Sequence, residues 1–271
     1  MIKAPVSRRF LDLAIEKLGD KYDGANRIRR VVANTIIGQL LPGGVVKGGS
    51  ALKLRFGDFA TRFTRDMDAA QAADLEDFIA KLDSALQGGW GGFTGHVVRG
   101  RPPHPKDVPE SYVMKPFEVK LDYNNKPWVT VPLEMGHNEI GDADEAEFCI
   151  SPDIVEMFED LGLPKPGPIP LMPLHHQVAQ KLHGLSDAIQ SRPHDLIDLQ
   201  LIMSHTTLDL AKVKDTCERL FKYRRAQVWP PTIVKKEDWQ LGYDSQKGTL
   251  PVRELDDAIV WVNGLIADIN G

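Results

Sequence analysis

The sequence predicts an α+β protein in which strands and helices mix in the first part and helices dominate the remainder. Three observations carry that expectation. Helical and strand-like segments interleave as far as about Leu161. The segment Leu163 to Pro173 then packs five prolines into a linker or rigid connection. Beyond it, apolar residues recur mostly at three- and four-residue spacing, the period of helices. The expected division is an α/β domain over 1–162 and a helical domain over 163–271.

The elements follow in order. Met1 to Leu18 mixes Arg8, Arg9, Asp12, Glu16 and Lys17 with apolar residues, the pattern of an amphipathic helix rather than a secretory leader. Ile28, Val32, Ile36 and Leu40 recur every fourth residue, so a helix is expected over about Asn26 to Leu41, ended by Pro42-Gly43-Gly44. Val45-Val46-Lys47 reads as a short strand, followed by Gly48-Gly49 and a helix opening at Ser50. Phe63 to Ala70 is the next strand, and Leu75, Phe78, Ile79, Leu82 and Leu86 mark a helix. Gly88 to Gly95 makes a turn, and Arg99 to Glu110, with four prolines, a long loop. From Tyr112 to Tyr123 the residues alternate: Phe117, Val119, Leu121 and Tyr123 on one face, Glu118, Lys120 and Asp122 on the other. Asn124-Asn125-Lys126-Pro127 turns that strand, and Trp128 to Leu133 returns beside it. In the helical part, Leu174, Val178, Leu182 and Leu185 form one stripe and Leu196, Leu199 and Ile202 another. Helices around Leu208 to Tyr223 and Leu255 to Ile269 complete it, and no internal repeat is visible.

Composition narrows the classes of function. With 42% hydrophobic and 26% charged residues the 271-residue chain is that of an ordinary globular protein. No apolar run reaches the roughly 18 residues that a membrane span needs. Two cysteines, Cys149 and Cys217, are too few for a disulfide framework or a thiolate zinc site, so a cytoplasmic protein is expected. A net charge of −5 argues against generic nucleic-acid binding, while leaving room for a local basic patch.

Two stretches carry chemistry. In Lys47-Gly48-Gly49-Ser50 the glycines let backbone approach a ligand, the new helix end offers N–H groups to phosphate, and Ser50 serves as N-cap and phosphate donor. In Arg62-Phe63-Thr64-Arg65-Asp66-Met67-Asp68, a strand would point Asp66 and Asp68 to the same face, where they repel unless a cation neutralises them. Three arginines, Arg55, Arg62 and Arg65, stand nearby. A phosphate cradle followed by an acidic pair within one strand–helix–strand unit is what nucleotidyl transfer needs, with metal ions organising the triphosphate and activating the attacking hydroxyl. Such chemistry calls for a third carboxylate. Asp122 is the first candidate, Glu118 the reserve and Glu134 a weaker third choice.

At this point a resemblance emerges. Val46-Lys47-Gly48-Gly49-Ser50-Ala51-Leu52, with Arg62 to Asp68 after it, closely resembles the first motif of the AbiEii family. These are nucleotidyltransferase toxins of abortive-infection and type IV toxin–antitoxin systems, in the polymerase-beta-like nucleotidyltransferase superfamily. Gln180-Lys181-Leu182-His183-Gly184-Leu185 and then Arg192-Pro193-His194-Asp195-Leu196-Ile197-Asp198-Leu199 resemble the family's paired lysine and aspartate motifs. The matches span about Val46 to Leu199. The resemblance implies a polymerase-beta-like domain with a mixed sheet, followed by a helical domain that completes the active-site cleft. It implies that Gly49 and Ser50 hold the triphosphate and Asp66 and Asp68 the metal; Gly48 and Arg62 join the expected nucleotide site, and Asp122 the expected metal set, from the reading of the residues above. Lys181 would bind phosphate or stabilise charge in transfer, and Asp195 or Asp198 would complete the catalytic set. Lys181 sits one residue off the stripe of Leu174, Val178 and Leu182, where its stem can be buried while its ammonium reaches a ligand. Thr64 stands where the family often has serine, so a hydroxyl open to regulatory phosphorylation is kept, and His194 replaces a common lysine.

The implied activity moves a nucleoside monophosphate from an NTP to an acceptor, with Mg2+ (or Mn2+) as cofactor. The tRNA 3′ end is the expected acceptor, translation block the consequence, a cognate antitoxin the partner, and no membrane is involved. Two alternatives stand beside it: transfer to a small molecule or a protein hydroxyl, and a catalytically silent nucleotide- or partner-binding protein. His175, His176 and His183 do not form a convincing metal set, because adjacent histidines leave a helix on different faces. Arg219, Lys222, Arg224 and Arg225, with Lys212, Lys214, Phe221, Tyr223 and Trp229, make the best basic–aromatic stretch, read equally well as an RNA grip or a solvated helix end. Arg27, Arg29 and Arg30 are candidates to join such a surface.

Overall fold

A computed structural model describes residues 3–22, 24–101, 114–246 and 250–271, which form two compact units, Met1–Met172 and Pro173–Gly271. The fold is α+β. In the first unit, helices α1 (Arg8–Leu18), α2 (Ala25–Gln39), α3 (Gly48–Phe56), α4 (Leu75–Gly88) and α5 (Pro152–Asp160) accompany a sheet of seven strands. The strands are β1 (Val45–Lys47), β2 (Met67–Gln71), β3 (Phe93–Arg99), β4 (Lys115–Tyr123), β5 (Lys126–His137), β6 (Glu147–Cys149) and β7 (Ile169–Leu171). Their order is β3-β4-β5-β2-β1-β7-β6, and the sheet is mixed: β2–β5 and β1–β7 are parallel, the other pairs antiparallel.

One apolar core holds this unit together. Phe117, Val119, Leu121 and Tyr123 of β4 point inward with Val131, Leu133 and Met135 of β5 and Met67 and Ala69 of β2, against Ile28, Val31, Val32 and Ile36 of α2. The alternation expected along β4 thus gives one buried face. The opposite face of β2 and β5 carries the polar side chains, and it is the face that matters for chemistry.

Several boundaries differ from expectation for identifiable reasons. β2 begins at Met67 rather than Phe63, because β1 ends at Lys47, opposite Asp68, and leaves the preceding backbone without a strand to pair on that side. β3 lies where a turn and loop were expected. Its central Gly95 weakens the sequence signal, but a Cβ there would sit 2.6 Å from the Lys120 carbonyl, so the glycine permits close pairing with β4. The domain boundary falls later than residue 162. Despite its prolines, Ile169–Leu171 enters the sheet between β1 and β6, with Ile169 and Leu171 fully buried. Most of the expected loop from Arg99 to Glu110, and Tyr112 with it, lies outside the described residues.

The second unit is helical: α6 (Leu174–Ser186), α7 (Pro193–His205), α8 (Leu210–Arg224), α9 (Trp239–Asp244) and α10 (Leu255–Asn270). The expected stripes of α6 and α7 are buried together with Val213, Cys217 and Leu220 of α8 and Trp239 of α9. Gln200, Tyr243 and the Val252 backbone close a ring of hydrogen bonds: Gln200 Nε2 donates to Tyr243 Oη at 2.7 Å, which donates to the Val252 carbonyl, while Val252 N–H donates to Gln200 Oε1. That satisfies a buried amide which would otherwise be costly. Burial pushes the Cys217 thiol up to about 12, so it packs rather than reacts.

Candidate active site

Three neighbouring strands bring charged residues abreast. The register sets Lys47 of β1 opposite Asp68 of β2, and Asp68 opposite Glu134 of β5. Paired residues on adjacent strands, roughly 4.8 Å apart, point to the same face. Asp66 lies one residue before β2, and because Met67 between the two aspartates is fully buried, Asp66 and Asp68 turn to the same side. The result is a cluster of Asp66, Asp68 and Glu134 with Lys47 beside it. The carboxyl of half-buried Glu134 is held above the usual range, first by burial and then by the charges of Asp68 and Asp66, with Lys47 opposing.

Glycines shape the cluster. Gly48, the first residue of α3, has φ +63°, and a Cβ there would stand 2.2 Å from Asp68 Oδ2, so only glycine lets the carboxylate approach the turn. On β5, a Cβ at Gly136 would stand 2.6 Å from Lys47 Nζ, which donates to Met114 Sδ at 3.5 Å. At Gly49 a Cβ would meet Arg62 Nη2 at 3.2 Å and Thr64 Oγ1 at 3.4 Å. Arg62 and Thr64 therefore overlie the start of α3, whose free N–H groups favour an anion.

Ser50 takes a different place from the one expected. The helix opens at Gly48 with Lys47 as N-cap, and Ser50 is buried inside it. Its hydroxyl donates to the Asp66 carbonyl at 2.8 Å and accepts from Asn34 Nδ2 at 3.1 Å. Ser50 sets the position of Asp66 instead of facing a phosphate. Asp122 is not brought to the cluster. It pairs with Thr94 and Pro127 at the hairpin end of β4, whereas Pro116 is the residue of β4 abreast of Glu134. Six residues of strand separate the two rows, roughly 20 Å. Glu118, abreast of Pro132, is nearer but off the row. Glu134, the weakest candidate from sequence, is the carboxylate that the sheet places beside Asp68. Gly136 escaped sequence reasoning, since the β2–β5 pairing joins segments far apart in the chain, and Lys47 stood in its motif without a role of its own.

The all-oxygen set of Asp66, Asp68 and Glu134 suits a hard divalent cation such as Mg2+ in donor chemistry. Among the described residues no three His, Cys, Asp or Glu side chains are already gathered closely enough to form a finished ion-binding group.

The helical unit contains its own charged set. Lys181 of α6 donates to Asp195 Oδ1 at 3.0 Å and Asp198 Oδ2 at 2.6 Å, both on α7 and both almost fully buried. Arg192 Nε stands 2.7 Å from the other oxygen of Asp195. A Cβ at Gly184 would come within 3.0 Å of Arg192 Nε and Asp195 Oδ2, so this glycine makes room for the ion pair. The basic–aromatic stretch of α8 is less open than its sequence suggests. Phe221 is buried against His183 and Trp229, Arg219 pairs with Asp215, and Lys214 donates to the Asn270 carbonyl.

Comparison with known proteins adds two findings. Residues 37–262 match the family model described as nucleotidyl transferase AbiEii toxin, type IV toxin–antitoxin system. No curated protein sequence matches the chain. Among solved structures, MenT4, a nucleotidyltransferase toxin from Mycobacterium tuberculosis H37Rv, is similar with 15% identity and a TM-score of 0.58, over 98% of this chain and 90% of that one. An antigenic nucleotidyltransferase-like protein from Paracoccidioides brasiliensis is similar over 83% of this chain and 96% of that one, with 14% identity and a TM-score of 0.37.

Proposed function

The chain belongs to the AbiEii family of nucleotidyl transferase toxins, and on that premise we propose that it transfers a nucleoside monophosphate from an NTP to the 3′ end of tRNA in the cytoplasm, so blocking translation. The acceptor hydroxyl oxygen bonds to the α-phosphorus, the bond from that phosphorus to the bridging oxygen breaks, and pyrophosphate leaves. The hydroxyl proton passes to a carboxylate of the cluster. The observation that carries this reading is the row of Lys47, Asp68 and Glu134, with Asp66 beside it and the glycine turn of α3 against Asp68.

Asp66, Asp68 and Glu134 would hold Mg2+ or Mn2+, which when bound supplies Lewis-acid stabilisation of the charge on the transferring phosphoryl group. Gly48, Gly49 and Arg62 cradle the triphosphate through backbone N–H groups and a guanidinium. Lys47 offsets negative charge at the row. Lys181 would bind phosphate or stabilise charge in transfer, with Asp195 or Asp198 completing the catalytic set, and Lys181→Ala in the transfer assay tests that assignment. A phosphate on Thr64, whose Oγ1 lies 3.5 Å from the Asp66 carbonyl, would set a dianion beside the carboxylates and switch the enzyme off by repulsion. A cognate antitoxin is the expected partner. Among the described residues no helix is long and apolar enough to cross a membrane.

The test is incubation with labelled NTPs, Mg2+ or Mn2+, and total RNA. Label entering tRNA, and lost with Asp66→Ala, is the expected outcome. Label entering protein but never RNA overturns the tRNA assignment. Equal growth inhibition by wild type and Asp66→Ala in bacteria would remove catalysis from the toxic activity.

A further inference from the structure

A cavity of about 520 Å³ lies on the far side of the segment that leads into Asp66. Arg27, Arg29, Arg30 and Arg65 line it together with Phe63 and Val129. The size falls within the range of ordinary small-ligand pockets. The segment Arg62 to Arg65 explains why it is there. Arg62 and Thr64 approach Gly49 at the start of α3, whereas Phe63 and Arg65 turn into the cavity. Alternation along one extended stretch therefore gives two faces, a glycine turn on one side and an arginine-lined cavity on the other. The stretch leads directly into Asp66, whose charge reaches Arg30 in the cavity.

The arginines of the cavity are not equivalent. Arg27 is spent inside the fold: its Nε donates to Asp58 Oδ2 at 2.7 Å, and its Nη2 to the carbonyls of Asp58 and Thr61. Arg29 is shared between Asp12 and Glu16. Arg30 instead donates to the Thr130 carbonyl at 3.3 Å; burial, and to a lesser degree the charge of Arg65, disfavours its cation, while Asp66 favours it. Arg65 is exposed, and Phe63 keeps 43% of its surface open beside it. An anion between Arg30 and Arg65 would relieve their repulsion, and a planar ring on Phe63 would cover apolar surface. A reaction that joins two nucleotides needs a second phosphate-binding face next to its carboxylates, and the glycine turn supplies only the first.

We infer that this cavity is the acceptor subsite and takes the terminal nucleotide of a single-stranded polynucleotide. Arg30 and Arg65 hold its phosphodiester, Phe63 stacks its base, and its hydroxyl is presented at Asp66. This rests on the nucleotidyl-transfer reading and names residues that reading leaves unused.

The test measures binding, not turnover. Anisotropy of a short fluorescent single-stranded RNA is recorded with the full chain in chelator, across a salt series, and the affinity for ATP, CTP, GTP and UTP is measured in parallel. The double variant Arg30→Gln/Arg65→Gln should bind the RNA at least about tenfold more weakly, and its salt slope should fall by roughly 0.7, the value for one lost phosphate contact. Arg30→Lys/Arg65→Lys, which keeps both charges and guards against misfolding, should recover most of the affinity. Phe63→Ala should weaken binding by about fivefold or more. Triphosphate affinities should stay within about twofold of wild type for all three variants. Undiminished RNA binding by the glutamine variant overturns the inference, as does wild type that binds no RNA. Lost triphosphate affinity with RNA binding kept would assign the cavity to the donor nucleotide instead, and equally overturns it. If wild type labels RNA while the glutamine variant binds it normally, the cavity assignment fails and the transfer reaction stands. If nothing is labelled but RNA binding falls with the arginines, the cavity binds RNA, while the transfer reaction fails and the acceptor role with it.

Discussion

The two charged sets of the molecule are built on opposite balances. Asp66, Asp68 and Glu134 place three carboxylates on one half-exposed sheet face with Lys47 beside them, and burial first, then the two aspartates, make Glu134 hold its proton more tightly. Lys181, Asp195 and Asp198 interleave one cation between two anions, with Arg192 against the second oxygen of Asp195, in a nearly dry helix–helix contact. The first set is half-exposed. The second is closed. An open excess of one sign costs stability and is retained where a ligand completes it, whereas a closed buried set holds its members in place and resists removal of any one of them.

Neutralising the open set should therefore abolish activity while leaving the fold intact. Asp68→Asn removes a charge from the row facing Gly48 and should lower transfer by roughly a thousandfold or more, equivalent to about 4 kcal/mol. Its melting temperature should stay within a few degrees of wild type, because Asp68 lies on the half-exposed face of the sheet and outside the apolar core. A parallel loss of stability would show that the carboxylates support the fold instead.

The closed set should behave the other way. Lys181→Met keeps the stem but leaves Asp195 and Asp198 facing each other, buried at 0% and 2% exposure. Breaking such a set costs about 3–5 kcal/mol, and thermal unfolding monitored by circular dichroism should move down by on the order of 10 °C. A variant that melts like wild type would mean that the aspartates tolerate one another without the lysine, and the contrast between the two sets would collapse.

A second buried pair, in the first unit, shows whether closure protects wherever it occurs. Lys53 donates to Asp58 at 2.7 Å and Thr61 at 3.0 Å beneath the loop leading to Arg62, yet burial lowers its ammonium from 10.5 to about 8. The folded protein then releases this proton at a lower pH than the unfolded chain does. Between about 8 and 10.5 the unfolded state binds more protons, so this group by itself makes stability rise with pH in that window. Below it, Lys53 is charged in both states and the burial cost is carried in full. Urea titrations at pH 7.5 to 10 should show that upward term in wild type, and Lys53→Met should lack it. A variant whose pH profile overlays that of wild type would rule the lysine out as its source.

The open set was only half legible in the sequence, and its two halves differ in range. Asp66, Asp68 and the Gly48-Gly49 turn lie within one strand–helix–strand unit, so local spacing sufficed to join them. The helices of the second unit were equally open to local reading, since Leu174, Val178, Leu182 and Leu185 repeat at helical spacing and are buried. Glu134 depends on β2 pairing in parallel with β5 across a long stretch of chain, and no period within either strand specifies that partner. β7 was hidden for a related reason: its prolines read as a connection, whereas burial of Ile169 and Leu171 is a property of the assembled sheet. Helix α5 was missed, although Ile154, Met157 and Phe158 stand at helical spacing behind Ser151 and Pro152, a helix-start pair. Ser50 shows the reverse limit, a correct residue type at the expected place whose hydroxyl is committed to the Asp66 carbonyl.

The smallest expected effect makes the sharpest test of that long-range pairing. Asp122 and Glu134 both stand on wet strand faces, and alternation alone treats them alike. Register separates them by about six residues of strand, roughly 20 Å, which is beyond the Debye length of about 8 Å at physiological salt. Asp122→Asn should therefore leave transfer within about twofold of wild type and stability within about 0.5 kcal/mol. Glu134→Gln, measured beside it, should lose activity by roughly a hundredfold because it removes a charge abreast of Asp68. Should the asparagine variant fall and the glutamine variant survive, the third carboxylate lies on β4 and the row of Lys47, Asp68 and Glu134 is not the reaction centre.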